Sequence, residues 1–336
     1  SAAKGVVDPI KDIKADGKDR LIFTLDGSNA DFPYIMSDYH LTIVPAGTSG
    51  DDWSKGIGTG AYIQTKFEPG IVSVGKRNTN FFKEGRAHFD EVEMLVITDA
   101  SARTNALKTG AIDMMTDVDK KIAHLLKRTK GIEVLQVPGT YHNTMPMMTD
   151  VAPYDNNDVR LALKYAVDRE HMVKTILRGY GSVGNDHPIA PIQKYYAKDL
   201  PQRKYDPEKA KKLLAEAGYP DGFESKIYYR DVFRSYMPEP ALVAVEFQTQ
   251  LKENLGIDAE VVVMESGEFI DESTNGRLSG FYLLGWGADY PHVTNFLDFH
   301  FGAGNPQFGD PFPEIYEPLE QAAQIADAAA TAPLYE

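Results

Sequence analysis

The chain contains no cysteine, which removes disulfides, thiolate metal sites and cysteine nucleophiles while leaving the redox compartment open. No apolar run approaches the roughly 20 residues needed to span a bilayer. The N-terminus also lacks the charged-then-apolar pattern of a signal peptide, so the chain reads as cytosolic or as an exported protein whose signal has been removed. Positive charge is scarce: 35 Lys and Arg face 49 Asp and Glu, for a net charge of −14. The basic residues are scattered, so a phosphate backbone has no electrostatic footprint and nucleic acid is excluded as a partner.

Catalytic signatures are equally sparse. Gly56-Ile57-Gly58-Thr59-Gly60 is followed by no Lys-Ser/Thr pair and by a strand-like segment, so it reads as a turn and not a phosphate loop. There is no Gly-x-Ser-x-Gly elbow; Glu265-Ser266-Gly267-Glu268 lacks the required spacing. No His-x-x-x-His pair faces two imidazoles towards a zinc ion. Asp186-His187-Pro188 is the nearest metal-like pair, but it has no third ligand in sequence. Asp51-Asp52 sits in polar Gly/Ser surroundings, where carboxylates stay solvated. Nothing among these residues reads as catalytic, so neither an enzyme nor a cofactor is expected.

What is present fits an ordinary globular protein: 43% hydrophobic and 25% charged residues. At 336 residues the chain exceeds the size at which one core stops growing, so two lobes are expected. Leu21 to Leu25 reads as a strand, and Ala61 to Phe67 with Ile71 to Arg77 as a hairpin turning through Glu68-Pro69-Gly70. Val92 to Ile97 is a strand candidate; Asp99 caps a helix to about Thr109, with Gly110 at C′. Ile112 to Met115, a helix from about Asp119 to Thr129, and Glu133 to Val137 continue an α/β alternation.

A boundary is expected at Pro138-Gly139. Beyond it, Val159, Ala162, Leu163, Ala166 and Val167 keep the 3.6-residue period of a helix starting at Asn157 or Asp158. A second helical segment restarts at Asp168. Asp206-Pro207 through Ala217-Gly218 carries helix signals at both ends: Asp at N-cap, Pro at N1 and Gly at C′. Lys226 to Tyr229, a helix from about Glu239 to Leu255, and Ala259 to Val263 spell a βαβ unit. The alanine-rich tail from Ala322 to Ala332 is helical in composition.

The stretch Gly285-Trp286-Gly287-Ala288-Asp289-Tyr290-Pro291 follows a short apolar strand, Phe281 to Leu284, so Asp289 emerges at a strand end between aromatic residues. A carboxylate held there invites a cation, and Trp286 could add a cation–π contact. Equally, Asp289 could close an Asx-turn before Pro291. Local sequence leaves both readings open.

Taken in order, several stretches resemble one family. Gly58-Thr59-Gly60-Ala61-Tyr62, Arg77 through Phe82, Phe89 through Glu93 and Ala106 through Asp113 come first. Asn143 through Pro146, Asp158 through Leu163, Ala166-Val167-Asp168-Arg169, Tyr205 through Ala210 and Leu213 through Tyr219 follow. This order resembles the bacterial extracellular solute-binding proteins of the peptide/nickel/opine class, from about Val7 to Leu334. The resemblance implies a two-lobe periplasmic-binding-protein-like α/β fold, of the cluster of large peptide-binding receptors. It further implies a monomer located in the periplasm or outside the cytoplasm, delivering a peptide or similar amine-bearing solute to ABC importer permease subunits.

In relatives that bind peptides, the Asp of Trp-x-Ala-Asp-Tyr holds the ligand's ammonium group, which here implies Asp289 flanked by Trp286 and Tyr290. Tyr141, His142 and Asn143 align with a hinge segment near 138–143 that offers polar contacts, and Arg230 and Arg234 are candidates for a ligand carboxylate. Residues 1–138, with the hairpin over 61–77, then form part of the first lobe and 139–336 the second. The first lobe is expected to be incomplete and the return to it missing. An opine, a nickel chelate or a sugar remains an alternative ligand. A hydrolase built on Asp186-His187 and a receptor or chaperone domain for a protein partner are the rivals from other classes.

Overall fold

The computed structural model describes residues 7–48, 56–184, 186–230, 237–303 and 307–336. Asp51-Asp52 and Arg234 lie outside the described residues. The chain divides into two compact units, one comprising Tyr39–Val134 and the other Lys4–Asp38 with Leu135–Glu336.

In the first unit, β3 (Tyr62–Glu68), β4 (Val72–Arg77) and β5 (Glu91–Leu95) form an antiparallel sheet in that order. The turn between β3 and β4 closes at Gly70, whose φ of 75° is what the Pro-Gly pair provides for. Helix α2 (Ala100–Thr109) follows: Asp99 accepts the Ala102 N–H at 2.7 Å, and Gly110 ends the helix in the left-handed conformation at φ 75°. The predicted alternation stops there. Asp119 to Thr129 condenses to the short α3 (Ala123–Leu126), and the predicted strands at Ile112 to Met115 and Glu133 to Val137 are irregular. These two runs have the apolar content of strands but no neighbouring strand among the described residues. A strand without a ladder partner leaves its backbone groups to water.

The second unit is built on a parallel sheet of order β8-β7-β9, from β7 (Glu224–Arg230), β8 (Asp258–Met264) and β9 (Phe281–Tyr282). The βαβ unit read from sequence is observed: α7 (Pro240–Leu255) links β7 to β8. Apolar faces of α4 (Asn157–Ala166), α6 (Pro207–Glu216) and α7 close on this sheet. They bury Leu163, Leu214 and Leu251 with Ile227 and Phe281. Each such fully buried side chain contributes about 1.5–3 kcal/mol, which makes this helix-on-sheet layer a major source of the unit's stability.

The caps fall where the sequence places them: Asp206 accepts the Lys209 N–H at 3.0 Å ahead of α6, and Asp168 accepts the His171 N–H at 2.9 Å ahead of α5 (Arg169–Thr175). A second core, under the remaining helices, gathers Trp286, Val293, Phe296 and Leu319. It is formed by α9 (Thr294–Phe301), α10 (Pro313–Ala323) and α11 (Ala328–Tyr335). Residues before Asp38 join this unit as well. Here β1 (Ile10–Ala15) pairs antiparallel with β2 (Leu21–Leu25), and α1 (Phe32–Ile35) follows.

Candidate ligand-binding site

Two short strands bring the predicted segments together. β6 (His142–Thr144) pairs antiparallel with β10 (Leu284–Trp286), so that His142 lies opposite Trp286 and Asn143 opposite Gly285. Neither strand is long enough to show periodicity in sequence; each exists because the other satisfies its backbone.

Just past β10 the Tyr141 ring lies so close to Gly287 that a Cβ there would stand 2.4 Å from it. A side chain at 287 would have to displace the exposed Tyr141 ring. The Ala288 N–H donates to Thr140 Oγ1 at 3.0 Å, and the Asp289 N–H donates to Asn295 Oδ1 at 3.0 Å. The backbone leading into Asp289 is thus held by Thr140, just ahead of β6, and by Asn295 of α9. A loop supported this way holds its residues in one geometry.

Asp289 itself is exposed. Its flanking aromatics take the burial instead. Trp286 stacks on His300 with ring centroids 3.7 Å apart and packs against Phe296, so one face is already covered by protein. Tyr290 is buried, its hydroxyl 3.3 Å from Thr294 Oγ1 and its pKa pushed up to about 12 by burial. The Trp-Gly-Ala-Asp-Tyr run therefore works as two buried aromatic anchors that hold a loop between them and present Asp289 to solvent.

A second acid joins it that sequence reading missed. A carboxylate oxygen of Asp38 and one of Asp289 lie within 4.8 Å of each other, and Asp38 is buried. Asp38 had no signal in sequence, because more than two hundred residues separate the pair. At that spacing two negative charges repel and a cation is favoured.

Tyr141, just before β6, and Asn143 within it are exposed, and His142 is half-buried. The His142 Nδ1 lies 2.8 Å from the Thr140 carbonyl oxygen, which can only accept, so Nδ1 carries the proton and Nε2 keeps its lone pair. Burial holds the His142 pKa below the ordinary histidine range, with the Thr140 bond opposing, and the ring stays neutral. Its Nε2 and Thr144 Oγ1 are buried with no hydrogen-bond partner among the described residues, and they lie two apart on one strand. Arg230, at the end of β7, donates from Nη1 to Ser266 Oγ at 3.0 Å and sits over the Phe269 ring, while its buried Nε has no partner among the described residues.

Asp186, the acid of the sequence's metal-like pair, is taken up differently. Arg169 donates to its Oδ1 at 2.5 Å and Arg203 to its Oδ2 at 3.1 Å. Each carboxylate oxygen is thus held by a guanidinium group, so Asp186 is engaged in ion pairs with two arginines.

Residues 1–308 match the model of the bacterial extracellular solute-binding proteins, family 5 Middle. The chain belongs to this family.

Among individual relatives, it is 29% identical over 276 residues to the heme-binding protein A of Haemophilus influenzae, covering 82% of this chain and 50% of that protein. It is 27% identical over 272 residues to the di/tripeptide-binding protein 1 of Pseudomonas aeruginosa, covering 81% and 50% respectively. The chain thus spans about half the length of these curated relatives. Among solved structures, the periplasmic binding protein DppA of Helicobacter pylori, in complex with the peptide STSA, superposes with a TM-score of 0.80 at 26% identity. That alignment covers 99% of this chain and 67% of the other. The NikZ protein of Campylobacter jejuni, bound to Ni(L-His), gives a TM-score of 0.79 at 22% identity, which speaks to the fold alone. The fold is that of the periplasmic binding proteins, and these relatives are named as binding proteins rather than enzymes.

Proposed function

We propose that this chain carries the solute-binding surface of a receptor serving an ABC importer, and that its solute is a peptide or another small molecule bearing an amine. The receptor acts outside the cytoplasm and hands its solute to the importer's permease subunits. The observation that carries the reading is the placement of Asp289: an exposed carboxylate with its backbone pinned by Asn295, its neighbour pinned by Thr140, and Asp38 beside it.

An α-ammonium group between two carboxylates forms charge-assisted hydrogen bonds in place of a costly repulsion. Tyr141, Asn143 and Arg230 supply neutral and cationic groups for the rest of such a ligand, Arg230 for its carboxylate. The name of the Pseudomonas relative and the peptide in the Helicobacter structure support the same class.

Titration calorimetry with a di- and tripeptide library tests it. N-acetylation of a bound peptide and the substitution Asp289→Asn should each weaken binding by roughly tenfold to a hundredfold, the range for a hydrogen bond to a charged group. The two losses should not add. Equal affinity for free and acetylated peptides would overturn the assignment.

A further inference from the structure

The arginines that hold Asp186 belong to a wider node of positive charge. Arg169 opens α5 and lies five residues beyond Lys164, which sits in the last turn of α4. Arg203 lies on the irregular segment ahead of α6. Asp186 comes from the loop between them, at φ 63°, a left-handed conformation that Asp adopts more readily than most residues. Its side chain is 8% exposed, against 24% for Arg169 and 32% for Arg203, so the carboxylate is the most deeply placed of the three.

Lys164 stands in the same field. Its ammonium has no hydrogen-bond acceptor among the described residues, and its pKa is held below the ordinary lysine range. Burial is the main cause, and Arg203, Arg169 and Arg160 oppose the attraction of Asp186. Arg160 is offset by Asp155 and spends its donors on the Tyr154 and Asp155 carbonyls. What remains is three cations, Lys164, Arg169 and Arg203, around one buried carboxylate, in a chain of net charge −14. Charges of one sign are gathered at a cost in a partly buried place, and a bound anion removes that cost.

We propose that Lys164, Arg169 and Arg203 form a binding site for a small oxyanion, with Asp186 orienting the two guanidinium groups. Arg169 also donates from Nη1 to the Lys164 carbonyl oxygen at 3.0 Å, which ties the two residues together, and each guanidinium still has N–H groups beyond these bonds whose planar fork suits a phosphate or carboxylate edge. Lys164 supplies the third charge as a point donor. Inorganic phosphate and a carboxylate share this chemistry.

The test is calorimetric titration of the chain with sodium phosphate and, separately, sodium acetate, at fixed ionic strength made up with chloride. Saturable binding of one of them is expected, and whichever saturates names the source. Lys164→Met should weaken it at least about tenfold, Lys164→Arg by no more than about threefold, and Asp289→Asn not at all. The last arm keeps this site separate from the solute site. If Lys164→Met does not fold, the wild-type Lys164 Cε resonance serves, and its titration midpoint should rise when the anion is added. Heats that only track salt, binding unchanged in Lys164→Met, or an unmoved Lys164 resonance would each overturn the proposal.

Discussion

A histidine stacked on tryptophan in a core carries a pH dependence that its neighbours set. His300 is buried against Trp286, its Nδ1 is 3.0 Å from Gln307 Oε1, and burial pushes its pKa down to about 4, the Gln307 bond opposing. The unfolded chain holds its histidines near 6.5. A base whose folded pKa is depressed binds fewer protons when native, so its contribution is intact above pH 6.5 and lost as pH falls towards 4. The gap corresponds to about 3 kcal/mol. Thermal melts between pH 7 and 4 should show this loss, and His300→Gln should flatten the acid limb while lowering stability at pH 7. An unchanged pH profile in the variant would show that His300 does not titrate on unfolding. Asp289, Trp286 and Tyr290 were recognisable as a group in sequence, but their division of labour was not, because which aromatic turns inward depends on α9 and Phe308. Asp38 was wholly hidden, since nothing local marks a carboxylate that acquires its partner only in the fold.

Elements were legible where their signals are local and illegible where they depend on a partner. Asp99, Asp168 and Asp206 announced helix starts because a cap needs only the next three residues. The short β6 and β10 gave no such sign, and Ile112 to Met115 gave a misleading one, because pairing is a property of two segments. The close contact of β7 with the entry to β9 belongs to the same class. A Cβ on Gly280 would stand 2.3 Å from the Lys226 carbonyl oxygen, a backbone atom that cannot rotate away. At Gly110 a Cβ would meet nothing within 4 Å, although φ is 75°. Gly110→Ala should therefore cost only the conformational penalty, about 1–2 kcal/mol. Gly280→Ala must push β9 away from β7 and should cost more than about 2 kcal/mol. Urea midpoints compare the two directly; equal losses would mean that the close approach of β9 to β7 adds nothing beyond backbone preference.

At the scale of the whole molecule, the family and the α/β class were readable from ordered motifs. That the segment before Asp38 belongs with the later unit was not. Its attachment rests on side chains hundreds of positions apart. Tyr335 donates its hydroxyl hydrogen bond to Asp31 Oδ2, and Asp31 Oδ1 lies 3.4 Å from His292 Nε2, with the Tyr34 ring stacked on that imidazole. The Ala30 N–H reaches the Ala323 carbonyl oxygen at 2.7 Å, tying the same segment to the end of α10. A hydrogen bond to a carboxylate contributes about 1.5–3 kcal/mol when its donor cannot be replaced by water. Tyr335→Phe removes the donor and keeps the ring that packs on Tyr195 and His292. The expected loss is therefore that of one charge-assisted bond, and Asp31→Asn should lose a similar amount. A double-mutant cycle on urea midpoints isolates the coupling: the double variant should be more stable than the sum of single losses allows, by about 1 kcal/mol or more. Strict additivity would mean that the two residues stabilise the unit independently. In that case the early segment would be held by its backbone bond and apolar contacts alone.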